Sequence, residues 1–148
     1  MIVFDASALL AYLRGELGAD LVREQLLDGG VVGAANWSEV AQKVTSAGAA
    51  WDVARALLLS YPLDVEPVGV EDAERAAELW SPGSGLSLAD RMCLALADRM
   101  GAPALTADTA WVGMPGVRHI RPTEKTRRLL ASIDRLEAGE GVEHEPLE

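Results

Sequence analysis

Apolar residues along this chain fall into short dense runs separated by longer stretches in which they recur every three or four positions. The alternation begins at once. Ile2-Val3-Phe4 is an apolar run too short for a helix, and it suits a strand buried on both faces. Residues 7–14 and 19–27 carry helical periodicity, punctuated by Gly15, Gly18 and Gly29-Gly30. Val31-Val32-Gly33 is a second strand. Asn36 is expected to open a helix that runs to residue 47, with its antiparallel partner over 50–60, stopped before Pro62. Residues 65–68 read as a third strand, which Pro67 assigns to a sheet edge. An amphipathic helix over 71–80, the loop Ser81-Pro82-Gly83-Ser84-Gly85 and a long buried helix over 87–100 come next. Strands at 104–106 and 117–120 flank a turn near Trp111, and a helix from 123 to about 138 closes the pattern. Strands alternating with helices in this way predict an α/β fold: a central parallel sheet of four to five strands flanked by helices. No repeat or linker interrupts it, so a single domain is expected over 1–138, followed by an acidic tail over 139–148.

At 148 residues the chain has the length of one domain, and an apolar content of 49% supplies a core without staples. The single cysteine, Cys93, excludes an internal disulfide framework and suits a reducing compartment; in its apolar helix it reads as a packing residue rather than a nucleophile. Met1-Ile2-Val3-Phe4 runs into Asp5 without a basic leader, and no stretch approaches the roughly 20 apolar residues of a membrane helix. A cytoplasmic protein with no membrane association is expected. The net charge of −10 argues against a generic nucleic-acid binder, because affinity for phosphates comes from Lys and Arg. Part of that charge is local: Glu137, Glu140, Glu143, Glu145 and Glu148 sit in a terminal segment without Lys or Arg, read as a solubilising tail.

Charge matters more in its placement. Four acidic residues recur where a short apolar segment hands over to a helix: Asp5 after Ile2-Val3-Phe4, Glu39 in Asn36-Trp37-Ser38-Glu39-Val40, Asp90 in Leu86-Ser87-Leu88-Ala89-Asp90, and Asp108 in Leu105-Thr106-Ala107-Asp108. In a parallel sheet such junctions lie at the carboxyl edge, where ligands bind, so the four are expected to converge on one acidic pocket. Each also has a local explanation. Asp5 and Asp108 suit helix caps, and Asn36 to Glu39 and Ser87 to Asp90 both fit the capping box. Jointly they are harder to explain as caps. Two carboxylates about 4 Å apart repel by around 4 kcal/mol at an effective dielectric near 20, so four together must protonate, splay apart or hold a cation. Hard carboxylate oxygens suit Mg²⁺ or Mn²⁺. Asp98 lies eight residues beyond Asp90, about 12 Å along one helix, too far to share an ion. Asp20, Asp28, Asp72 and Glu78 read as solvated helix faces.

With these residues in hand, the chain resembles the PIN-domain family, and within it the VapC-type toxin ribonucleases of type II toxin–antitoxin pairs. The resemblance covers residues 1–125. Val3-Phe4-Asp5-Ala6-Ser7-Ala8-Leu9-Leu10-Ala11, Asn36-Trp37-Ser38-Glu39-Val40, Leu86-Ser87-Leu88-Ala89-Asp90-Arg91-Met92-Cys93-Leu94-Ala95-Leu96-Ala97 and Leu105-Thr106-Ala107-Asp108-Thr109-Ala110-Trp111 resemble its four acidic motifs, in order. The resemblance implies that Asp5, Glu39, Asp90 and Asp108 form a catalytic quartet binding one or two Mg²⁺ or Mn²⁺ ions, with Ser7 and Thr106 supporting it. It further implies cleavage of RNA phosphodiesters (a tRNA or rRNA target), a cognate VapB-type antitoxin whose C-terminal segment enters the active-site groove, and a homodimer.

Water activated by metal is the expected nucleophile, with a carboxylate taking its proton. Only His119 and His144 are present, which argues against a histidine pair working through the ribose 2′-hydroxyl. The products expected are therefore a 5′-phosphate and a 3′-hydroxyl. Arg14, Arg91, Arg118, Arg121, Lys125, Arg127 and Arg128 are the candidate cations and read for the most part as ordinary surface charge; Arg91, adjoining Asp90 but about 100° away around the helix, is the one to test for substrate binding. The four tryptophans could stack on bases, but with one Phe and two Tyr in the chain they read as core residues; Trp37 and Trp111, beside the second and fourth motifs, are the two best placed to line the groove. A phosphatase of the haloacid-dehalogenase kind needs an Asp where Ser7 stands, and a receiver domain needs an acidic pair near its start that is absent. The alternative from another class is a non-catalytic domain whose acidic crevice captures an arginine-rich partner.

Overall fold

The computed structural model describes residues 1–120 and 135–136. Five strands form one fully parallel sheet: β1 (Ile2–Phe4), β2 (Gly30–Gly33), β3 (Leu63–Glu66), β4 (Ala104–Thr106) and β5 (Val117–His119), in the spatial order β3-β2-β1-β4-β5. Between them run α1 (Ala6–Leu13), α2 (Ala19–Asp28), α3 (Ala34–Ser46), α4 (Trp51–Leu59), α5 (Val70–Glu78) and α6 (Leu88–Met100). The strand order reverses between β1 and β4, which makes their carboxyl ends the switch point where open α/β sheets take ligands.

The period of two within each strand sorts side chains to the two faces. Ile2, Phe4, Val32 and Leu105 pack with Leu9, Val22, Leu26 and Leu58 from α1, α2 and α4. Val3, Val31 and Ala104 turn the other way, onto Cys93, Leu96 and Ala97 of α6. Each large apolar side chain fully buried this way contributes roughly 1.5–3 kcal/mol. Gly30 permits the central pairing: a β carbon there would lie 2.4 Å from the Ile2 carbonyl oxygen and 2.8 Å from the Phe4 ring.

Three expectations need correction. The third strand is Leu63–Glu66 rather than 65–68, so Pro67 follows the strand instead of interrupting it; β3 is nevertheless an edge strand. Asn36 does not cap a helix. β2 passes straight into α3 with Gly33 as N-cap, because Ala34 and Ala35 are strong helix formers and the Asn36 side chain is committed elsewhere. Asp72 is not on a solvated face: it is buried, receives Arg99 Nε–H at 2.8 Å and Nη2–H at 3.2 Å, and caps Gly69 N–H at 3.1 Å. The expected helix over 123–138, apart from 135–136, and the tail over 139–148 lie outside the described residues.

Candidate active site

Asp5 is the first residue beyond β1, and its backbone N–H donates to the Leu105 carbonyl at 2.9 Å, which fixes it against β4 at the switch point. It caps α1 through Ser7 N–H at 3.4 Å. Its Oδ2 also accepts from Ser7 Oγ at 2.5 Å and from Thr106 Oγ1 at 3.0 Å. Those hydroxyls are held from behind: Ser7 Oγ accepts Ala107 N–H at 2.9 Å and Thr106 Oγ1 accepts Asp108 N–H at 3.0 Å. Burial pushes the Asp5 carboxyl up to about 6; the two hydroxyls oppose that rise, and the neighbouring charges of Asp90 and Glu39 add to it. Asp5, just beyond β1, therefore feels the charges of Glu39 in α3 and Asp90 in α6, while Asp108 is tied to the same hydroxyls through its backbone N–H on Thr106 Oγ1.

Only Asp5 and Asp108 follow strands. Glu39 lies in the second turn of α3, and Asp90 in the first turn of α6, which follows a loop after α5. The outer carboxylates are each engaged locally. Asp90 Oδ2 accepts Ser87 N–H at 2.9 Å in a complete capping box; Asp108 Oδ1 accepts Ala110 N–H at 2.9 Å; Glu39 Oε2 pairs with Lys43 Nζ at 3.4 Å. Among the described residues no three acidic, His or Cys side chains converge on one point. Like-charge repulsion and these local partners hold the group splayed. The donor chemistry, carboxylate oxygens backed by hydroxyls, fits a hard divalent cation; the caps use Asp90 Oδ2 and Asp108 Oδ1, which leaves the other oxygen of each outside its cap.

One further side chain touches Asp5. Asn36, 1% exposed, directs Nδ2 at Asp5 Oδ1 (3.5 Å) and at the Ala89 carbonyl (3.1 Å), while its Oδ1 is buried without a partner among the described residues. Leaving a buried acceptor unpaired costs roughly 1–3 kcal/mol. The sequence signal was present, since Asn36 stands one helical turn before Glu39, but its resemblance to a cap concealed it. Beside Asp108 opens a cleft of about 310 Å³, lined by Ser7, Leu10, Arg14, Glu16, Lys43, Ala107, Asp108 and Thr109. Lys43, four residues after Glu39 and so on the same helix face, escaped the sequence reading.

A family model for the PIN domain matches residues 2–116. The chain belongs to the PIN-domain family. A comparison with curated proteins found no sequence match. Among solved structures, the fold is similar to a toxin–antitoxin complex from Klebsiella pneumoniae, with a TM-score of 0.66 at 20% identity over 83% of this chain and 100% of that one. It is also similar to Mycobacterium tuberculosis VapC20, a sarcin–ricin loop cleaving toxin, with a TM-score of 0.63 at 19% identity over 80% and 99% of the two chains.

Within this PIN domain the aromatic and basic side chains beside the motifs are placed as follows. Trp111 is fully buried in the core against α6 and offers no ring to a base. Trp37 is partly buried, packed edge-on against Trp51 with ring centroids 5.1 Å apart. Arg91 does not face the acids: its guanidinium donates to the Ala76 carbonyl of α5 at 2.8 Å, as the helical offset of about 100° from Asp90 requires. Cys93 is buried, and burial pushes its thiol well above the ordinary range, consistent with packing. Asp98 is exposed and paired with Arg75 at 3.1 Å, apart from the acids. Among the described residues no helix is long and apolar enough to cross a membrane.

Proposed function

We propose that this PIN domain is a cytoplasmic Mg²⁺- or Mn²⁺-dependent endoribonuclease, the toxin of a toxin–antitoxin pair. The observation that carries the reading is a buried Asp5 at the switch point whose carboxyl is raised further by the charges of Asp90 and Glu39 and held by Ser7 and Thr106, the second of which also takes the Asp108 backbone N–H. The fold likeness to a chain of a toxin–antitoxin complex and to a sarcin–ricin loop cleaving toxin supports it. Asp5, Asp90 and Asp108 would hold one ion, with Glu39 on a second ion or on water. Such an ion lowers the pKa of bound water and offsets charge at the reacting phosphate. Ser7 and Thr106 fix the Asp5 carboxylate, and one of the acids takes the proton of the attacking water. The products are a 5′-phosphate and a 3′-hydroxyl. A VapB-type antitoxin and a second copy of the chain are the proposed partners, and a tRNA or rRNA the proposed substrate.

The test is cleavage of a labelled tRNA and rRNA pool by partner-free protein with Mn²⁺, Mg²⁺ or EDTA, against Asp90→Asn. Metal-dependent cuts that vanish in the variant are expected, and 2′,3′-cyclic phosphate ends would overturn the mechanism. The splayed acids favour one other reading, a crevice that captures an arginine-rich partner without catalysis. Folded, metal-loaded protein that cuts no RNA would select it.

A further inference from the structure

Asn36 is bound into the acidic cluster through its nitrogen alone. Both groups it faces, Asp5 Oδ1 and the Ala89 carbonyl, are acceptors, so the amide NH₂ and not the oxygen must point at them. One donor therefore reaches the acid that follows β1, and the other reaches the residue before Asp90 in the first turn of α6. No other side-chain hydrogen bond described here joins α3 to both elements. For stability alone the position is a poor place for an amide. The side chain is 1% exposed, Oδ1 finds no partner among the described residues, and a β carbon added at Gly33 would come within 3.4 Å of it. An aliphatic side chain would fill the space without an unpaired acceptor. What the amide supplies that an aliphatic cannot is a fixed spacing between Asp5 and the turn that carries Asp90.

We propose that Asn36 is a positioning residue that ties Asp5 to the first turn of α6 and so sets the separation of Asp5 and Asp90 on which cation binding depends. The inference rests on the proposal that this cluster binds a divalent cation. Partners that orient ligating groups typically cost 10–100-fold in metal affinity or activity when removed. The experiment measures the Kd for Mn²⁺ on the full chain by the electron paramagnetic resonance signal of free Mn²⁺, for the wild type, Asn36→Ala and Asn36→Ser, with folding checked by circular dichroism. Cleavage kinetics at saturating Mn²⁺ accompany it. The expected result is a Kd raised about tenfold or more in Asn36→Ala and less in Asn36→Ser, which keeps one donor and a small volume. The KM for RNA should be unchanged, because Asn36 is buried away from substrate. Should Asn36→Ala fail to fold, the Asn36→Ser shift decides. A Kd within twofold of wild type in a folded variant overturns the role of Asn36 and leaves the metal site standing. A wild type that binds no Mn²⁺ overturns the metal site and this role together.

Discussion

Asp5 is both a helix cap and a buried acid, and the two roles pull its titration in opposite directions. The cap and the hydroxyls of Ser7 and Thr106 favour the carboxylate; burial and the charges of Asp90 and Glu39 disfavour it and prevail, so the carboxyl titrates near 6 instead of near 3.8. Because the folded value lies above the unfolded one, Asp5 stabilises the metal-free protein below about pH 4, and that contribution is lost as pH rises through 6. The loss amounts to about 3 kcal/mol at about 1.4 kcal/mol per pH unit. Asp5→Asn, a neutral isostere, should therefore be more stable than wild type in EDTA at pH 7.5, with most of that advantage gone at pH 4.5. Urea denaturation at the two pH values checks this; an advantage that is equal at both would mean that Asp5 is not buried as described. The cap was legible in the sequence because it depends on residues two positions away. The burial was not, because it depends on Thr106, 101 positions later, and on Asn36, whose type fits a cap as well as a core tether.

Among the elements, those read from periodicity over many residues held their places, and those resting on a single signal moved. The long apolar pattern before Met100 is α6, within a residue of its expected start, because Ser87 and Asp90 form a capping box and Gly101 ends the helix in the left-handed conformation at φ +59°. The third strand lies two positions before its expected place because a short apolar run marks a strand's existence better than its ends, whereas the edge position that Pro67 implied is where β3 sits. The packing of α5 on α6 was hidden altogether, since Asp72 and Arg99 each look like surface charges in a helix. Their paired hydrogen bonds hold the two helices together, and Arg99 keeps the Asp72 carboxyl below the usual range. Arg99→Ala should lower the unfolding free energy by about 1–3 kcal/mol, since it leaves a buried carboxylate with one backbone partner. The sign of the pH effect is opposite to that of Asp5: this contribution is present above about pH 4 and is lost as pH falls below that, through the lowered value. Chemical denaturation at pH 7 and at pH 3 checks both statements, and an Arg99→Ala cost that persists undiminished at pH 3 would sink the pairing.

For the molecule as a whole, the difficulty is charge. At −10 the protein repels RNA at long range, so binding has to come from cations at the site itself. The described structure places two of them, Arg14 and Lys43, on the walls of the cleft beside Asp108. Both sit close to acids, Arg14 at 3.7 Å from Glu16 and Lys43 at 3.4 Å from Glu39, and exposed pairs of that kind are worth about 1 kcal/mol or less. A phosphate can therefore compete for them. Each phosphate neutralised on a single strand contributes about −0.7 to the slope of log K against log salt. Two contacts predict a slope near −1.4, shallow for a nucleic-acid enzyme. Fluorescence anisotropy of a labelled single-stranded RNA over a salt series, on the Asp90→Asn background so that nothing is cut, should give that value. Lys43→Gln and Arg14→Gln should each flatten it by about 0.7. A slope steeper than about −3, unaffected by either substitution, would move RNA binding to other cations, with Arg121, Lys125, Arg127 and Arg128 the first to replace. The same acidic field that makes RNA a weak ligand favours a basic peptide, so the proposed antitoxin partner would gain from electrostatics what the proposed RNA substrate lacks.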